Sequence, residues 1–116
     1  MIEGIGIDIV NISRMDTLST VALHRLFHEM EVTYALTLQE KQRSEYLAGR
    51  FAAKEAIFKA ISHGDGKTNF KDITILNDLH RKPYVKTHPF GQELQFQVSI
   101  SHTEKQAIAF VICERL

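Results

Sequence analysis

Residues 43–61, RSEYLAGRFAAKEAIFKAI, are the segment around which any fold of this chain has to be built. They are rich in Ala, Leu, Glu, Lys and Arg, the strong helix formers. Leu47, Phe51, Ala53, Ala56, Ile57, Phe58, Ala60 and Ile61 run most of the way round a helical wheel. A helix apolar on most sides belongs in the middle of a fold, so this one is predicted to be central and buried. Gly64-Asp65-Gly66 is predicted to break it. Upstream, residues 21–36 carry one apolar stripe of Leu23, Leu26, Phe27, Met30 and Tyr34, which predicts a single amphipathic helix. Thr37-Leu38-Gln39-Glu40 fits a capping box and predicts a second helix start.

Residues 2–10 obey a period of two. Ile5, Ile7 and Ile9 share one face, and Gly4, Gly6 and Asp8 share the other. This is a strand with one branched apolar face and one face of bare backbone carrying a single carboxylate. Glycine there lets another backbone or a ligand approach closely. The second half reads as strands at 72–77, 83–86, 93–101 and 106–114, with turns at 77–82 and 103–105. The last two strands form a hairpin. Val, Ile and Phe dominate them, as a half-buried sheet requires. With no repeat, low-complexity run or linker, the 116 residues are expected to form a single domain over 1–116. The class is α+β: an N-terminal strand, then helices including a long buried one, then a mainly antiparallel sheet.

Charge and cysteine content exclude several functions. Lys+Arg and Asp+Glu are both 14, so the formal net charge is zero. That speaks against nucleic-acid binding, which normally brings a basic excess. A local patch from Arg14, Arg25 and Arg43 would still offer a basic surface. The single cysteine, Cys113, permits no intrachain disulfide and no cysteine-based zinc site; in AIAFVICE it reads as a buried strand thiol. The N-terminal sequence lacks the pattern of a signal peptide, and no apolar run approaches the roughly 18 residues needed to span a bilayer. A cytoplasmic protein with no membrane partner is the expectation.

Two carboxylates stand out. Asp8 lies in an otherwise apolar strand, and it either caps a neighbouring turn at a strand edge or serves as a metal ligand or acid/base. Glu55 either pairs with Lys59 one helical turn on or sits in a site of its own. The helix has little polar surface, and a charge flanking the Leu47–Phe51–Phe58 stripe needs a partner or a metal. Together, Asp8 and Glu55 would suit Mg²⁺, which takes one or two carboxylates and completes its shell with water and phosphate oxygens. Arg50, Lys54 and Lys59 nearby would suit a polyanionic phosphate ligand. Ser99-Ile-Ser101-His102 reads on pattern as a strand with its polar face in water; no nucleophile elbow supports a serine hydrolase. His24 and His28 have metal-ligand spacing on a helix, but Arg25 stands where an HExxH motif needs glutamate, so a solvated face is the simpler reading. His63, His80 and His88 fall in loops without a readable role.

Three blocks in this order resemble one family: Gly4-Ile-Gly-Ile-Asp-Ile-Val10 with Ile12 and Arg14; Leu47-Ala-Gly-Arg-Phe-Ala-Ala-Lys-Glu-Ala56 with Lys59-Ala60; and Val98-Ser-Ile-Ser-His102 with Ala107 and Ala109. Asp72-Ile73, Ile75-Leu-Asn-Asp78 and Lys82-Pro83 form a weaker fourth block, and 16–42 matches least. The chain resembles the holo-[acyl-carrier-protein] synthases, the small bacterial class of 4′-phosphopantetheinyl transferases, over essentially its whole length. The resemblance implies that fold. It also implies transfer of phosphopantetheine from coenzyme A to a serine of apo-acyl carrier protein, leaving adenosine 3′,5′-bisphosphate. It implies Mg²⁺ on Asp8 and Glu55, with Lys59 alongside as a catalytic residue. Arg50 and Lys59 would then meet the coenzyme's phosphates and Pro83 its adenine side. His102 and Thr103 would line the coenzyme site of a neighbouring subunit in a homotrimer, and Arg14 would touch the acidic carrier helix. The base for the serine is either a metal-bound water or Glu55. Two positions depart from the family's pattern: Phe58 stands where serine is common, and Ser62 replaces the first glycine of a turn. These departures motivate an alternative, a degenerate relative that binds coenzyme A or a carrier without transfer. A structural or RNA-binding α+β domain is a third reading, disfavoured by neutral charge.

Overall fold

The computed structural model describes residues 1–61 and 68–116. The predicted break at Gly64-Asp65-Gly66, and with it Ser62 and His63, lies outside the described residues. The order is β1 (Ile2–Asn11), a 3-10 turn at Ile12–Met15, α1 (Thr20–Leu26), α2 (Glu29–Ala35), α3 (Glu40–Ala60), a second 3-10 turn at Phe70–Asp72, β2 (Thr74–Asn77), β3 (Pro83–Thr87), β4 (Leu94–His102) and β5 (Gln106–Arg115). An antiparallel sheet of order β1-β5-β4 lies on one side of α3, and β2 and β3 form a separate antiparallel pair. The class is α+β, as the sequence predicts.

Helix α3 is the core of the molecule. Leu47, Ala48, Phe51, Ala52, Ala53, Ala56, Ile57 and Ala60 are all buried along it. Its start differs from the expectation. Gln39 is the N-cap and makes no side-chain cap bond. Thr37 donates its hydroxyl to the Tyr34 carbonyl instead, at 2.6 Å, because a local i−3 acceptor competes for it.

The predicted single helix over 21–36 is two helices. Phe27 leaves the helical region, at φ −127° and ψ 142°, and this buries its ring almost completely. His28 then starts α2: its Nδ1 accepts from Met30 N at 3.1 Å, and Glu31 Oε1 accepts from His28 N at 2.9 Å. This is a capping box with histidine in the Ser/Thr place. The break rotates the second half, so Met30 and Tyr34 are exposed while Glu31, Val32 and Ala35 are buried. His28 is therefore a cap rather than half of a solvated His24/His28 pair.

The bare face of β1 is the one that faces the core. A Cβ added at Gly4 would lie 1.9 Å from the Ala60 carbonyl oxygen, and one at Gly6 would lie 1.9 Å from that of Ala56. Strand and helix thus touch backbone to backbone, which only glycine allows. Asp8 and Val10 continue the inward row, and on β5 the inward row is Ala107, Ala109, Val111 and the thiol of Cys113, all buried. Burial raises the proton affinity of that thiol, which keeps it unreactive. Ile5, Ile7 and Ile9 point outward, where Ile7 pairs with Phe110 and Ile9 with Ile108. Ile5, Ile7 and Ile9 are 61%, 54% and 56% exposed, and Ile108 and Phe110 are exposed beside them.

Candidate active site

Asp8 sits on the inward face of β1, two residues beyond Gly6, and so is aimed at α3. Lys59, from the last turn of α3, donates Nζ to Asp8 Oδ1 at 3.1 Å and to the Ile7 carbonyl at 3.0 Å. Glu55 lies one turn earlier on the same helix face. Its carboxyl has a raised proton affinity, first because it is partly desolvated and then because Asp8 places a second negative charge near it. Lys59 and Arg14 oppose that rise but do not cancel it. Two carboxylates with incomplete compensation form a ready seat for a small hard cation. The donor set therefore fits Mg²⁺ on Asp8 and Glu55. Among the described residues no cluster of three or more His, Cys, Asp or Glu side chains is arranged for a metal, so the rest of such a shell must come from water and substrate.

The 3-10 turn after β1 carries Arg14 to the same region. Its guanidinium stands 5.1 Å from the centroid of the Phe51 ring and is exposed. Phe51 packs edge-on against Phe70, and Phe58 lies against both Phe70 and Phe90. A wall of aromatic rings thus runs from Arg14 through Phe51, Phe70 and Phe58 to Phe90. Phe58, the departure from the family pattern, is part of that wall.

The remaining candidates fall in two other places. Arg50 points away from Glu55: it donates Nε to the Ile75 carbonyl at 3.1 Å and Nη2 to Asn77 Oδ1 at 2.5 Å, and it stacks on Tyr46. Asn77 is the register partner of Pro83, so Arg50, Asn77 and Pro83 form one group at the start of β3. His102 and Thr103 lie at the β4–β5 hairpin. Thr103 Oγ1 accepts from Lys105 N and Gln106 N and shapes the turn. His102 Nδ1 is 3.1 Å from the Thr103 carbonyl and 3.5 Å from Glu45 Oε2. Glu45 and Glu55 are ten residues apart on α3, about 15 Å along its axis. The histidine and the carboxylate pair thus lie beside different stretches of one helix.

Lys54 is a correction. The expectation that it joins a phosphate site fails, because its ammonium is fully buried on the opposite side of α3 from Lys59. There it pairs with Glu31 at 2.5 Å and donates to the carbonyls of Leu26 and Phe70. Glu31 Oε2 also accepts from Ile75 N. Arg43 is likewise withdrawn from the suggested basic patch, since it donates to the carbonyls of Ala35 and Leu38. Sequence reasoning missed Glu31 and Glu45. Nothing in the sequence signals that Glu31, on a short helix, is buried, or that Glu45, near the start of α3, reaches a strand end far along the chain.

A cleft of about 970 Å³ opens between the first 3-10 turn, α1 and the start of α3, lined by Asn11, Met15, Asp16, Leu23, Ser44 and Lys105 among others. Asp8, Glu55 and Lys59 do not line it. Asp8 and Glu55 are both half-buried.

Two hard oxygen ligands beside an ammonium and a guanidinium are what a protein needs to handle a phosphate ester with a divalent cation. The comparisons with known proteins narrow that class. The chain belongs to the 4′-phosphopantetheinyl transferase superfamily, whose family model matches residues 4–111. It is 47% identical to a holo-[acyl-carrier-protein] synthase of Geobacillus sp. (strain WCH70), over 100% of this chain and 99% of that one. A crystal structure of a holo-(acyl-carrier-protein) synthase from Bacillus anthracis in complex with CoA (3′,5′-ADP) superposes with a TM-score of 0.89 at 38% identity, covering 100% and 99% of the two chains. The enzyme from Helicobacter pylori in complex with coenzyme A gives a TM-score of 0.77 at 32% identity, covering 95% and 99%.

Proposed function

We propose that this chain transfers the 4′-phosphopantetheine group from coenzyme A to a serine of an apo-acyl carrier protein, releasing adenosine 3′,5′-bisphosphate. The observation that carries the reading is the convergence of Asp8 from β1 with Glu55 and Lys59 from α3, Lys59 bonded to Asp8 at 3.1 Å. The family membership and the coenzyme bound to close structural relatives support the same substrate.

Asp8 and Glu55 would hold Mg²⁺, which would supply charge neutralisation of the pyrophosphate and of the departing bisphosphate. The chain's own groups do the positioning. Lys59, half-exposed and held by the Ile7 carbonyl and Asp8, points a charge at the incoming phosphates. The serine proton would pass to Glu55 or to a water held beside it as the oxygen attacks phosphorus. Arg14, exposed over Phe51, meets the acidic carrier surface. Arg50 and Pro83 serve the nucleotide end, and His102 and Thr103 reach the coenzyme of a neighbouring copy.

That last assignment goes with a homotrimer. The outward face of Ile5, Ile7, Ile9, Ile108 and Phe110 is left exposed by the described residues, and single chains rarely leave so much contiguous apolar surface bare. The separation of His102 from the carboxylates along α3 favours a site completed between copies. No helix among the described residues is long and apolar enough to cross a membrane. Residues 1–116 act as one transferase domain in the cytoplasm.

The test is intact-mass spectrometry of apo-acyl carrier protein incubated with this protein, coenzyme A and Mg²⁺, with an EDTA control. The expected result is a phosphopantetheine mass gain that EDTA prevents and that Asp8→Ala or Glu55→Ala abolishes. No gain on a carrier that another transferase does modify would instead favour a protein that binds coenzyme A without transfer.

A further inference from the structure

We propose that Glu45 is a positioning residue for coenzyme binding: it holds the His102 imidazole so that its outer nitrogen meets phosphate as a hydrogen-bond donor. This rests on the functional reading above, in which His102 faces the coenzyme.

The argument starts from hydrogen-bond bookkeeping. His102 Nδ1 is 3.1 Å from the Thr103 carbonyl oxygen and 3.5 Å from Glu45 Oε2. Both neighbours only accept, so Nδ1 carries the proton. In the neutral ring Nε2 is then an acceptor, and a phosphate oxygen has nothing to give it. Nε2 becomes a donor only in the imidazolium. The ring is therefore useful to a phosphate in its charged form alone, and an adjacent carboxylate is what favours that form.

The surroundings match this role. The His102 side chain is 49% exposed and that of Glu45 is 19% exposed, so the carboxylate lies underneath and the ring reaches outward. Glu45 comes from α3 and is the acidic group facing His102 from that helix. On β5 the register partner of His102 is Ala107, which is uncharged, and the turn between them adds Glu104 and Lys105. Helix α3 thus carries the carboxylate that shares the metal site near one end and the carboxylate that sets the histidine near the other. In a ring of copies the same helix would serve two sites.

The experiment measures KM for coenzyme A and kcat for transfer across the neutral range, for the wild type, Glu45→Gln, His102→Gln and the double variant. The His102 ring is titrated in parallel by NMR in the wild type and in Glu45→Gln. KM is expected to rise roughly three- to fivefold near neutral pH in Glu45→Gln, a size ordinary for one partly exposed charge pair, while kcat changes less than about twofold. Glu45→Gln is expected to add nothing once His102 is glutamine. An unmoved His102 titration, or an equal KM rise in the His102→Gln background, overturns the proposal and leaves the transferase reading standing. No transfer by the wild type overturns that reading and the coenzyme role of Glu45 with it, while the NMR titration still reports whether Glu45 sets the charge of His102.

Discussion

Lys54 and Glu31 show how far one pair can reach. The ammonium is completely buried, its proton affinity is lowered by that burial, and Glu31 works against the lowering. Between them the two side chains tie together the ends of α1 and the second 3-10 turn, the start of α2 and the strand β2. Replacing Lys54 by Met leaves the Glu31 charge buried and is expected to cost about 3–5 kcal/mol in urea unfolding. The double variant Lys54→Met/Glu31→Gln should lose less than the sum of the two single losses, because each single change strands the other partner. Glu55 makes a different prediction. Its folded-state proton affinity is raised, so the stability it contributes is present below the ordinary carboxylate range and is lost as pH rises through its raised value. The same shift lets protons compete with metal at higher pH than at an ordinary carboxylate. The apparent affinity for Mg²⁺, read by calorimetry, should weaken as pH falls from about 7 to about 5, and Glu55→Gln should remove most of that slope along with most of the binding. Asp8 and Glu55 were legible in the sequence because each is a charge in an apolar pattern. Lys54 looked equivalent to Lys59 for the same reason. Only the direction each takes from the helix separates them, and that depends on what packs on each face.

At the scale of elements, α3 and the β4–β5 hairpin could be read directly, since composition and period both pointed one way. The region 21–36 could not. Its stripe has helical spacing throughout, but burying the Phe27 ring outweighs one continuous helix, and a histidine supplies the cap that restarts it. The contact between β1 and α3 was half legible: two glycines on one face announce a close approach, but do not say to what. Gly6→Ala tests it. The new Cβ would meet the Ala56 carbonyl at 1.9 Å, so strand and helix must separate, and a loss of about 3 kcal/mol or an insoluble product is expected. Gly49→Ala is the contrast. Its Cβ would meet only a methyl group of Ile100 at 3.0 Å, and alanine regains roughly 1 kcal/mol of helix propensity, so its thermal midpoint should stay near that of the wild type.

For the whole molecule, the outward face of the sheet is the feature to test. Ile7 is opposite Phe110 in the register and near the middle of that face. Ile7→Lys should leave the secondary structure intact, shift the sedimenting species from trimer to monomer, and abolish transfer together with the assembly. An unchanged sedimentation profile would place any contact between copies elsewhere. The alternation of residues 2–10 disclosed that β1 has an apolar face and a bare one. It did not disclose that the bare face is the inner one, because sequence patterns normally put the apolar side inward. The stack of Gly4 and Gly6 on Ala60 and Ala56 has one more consequence. Gly6 comes two residues before Asp8, and Ala56 directly follows Glu55, so this stack also sets how near the two carboxylates stand. The spacing between the two carboxylates is thus kept by two absent side chains, at positions that carry no charge of their own.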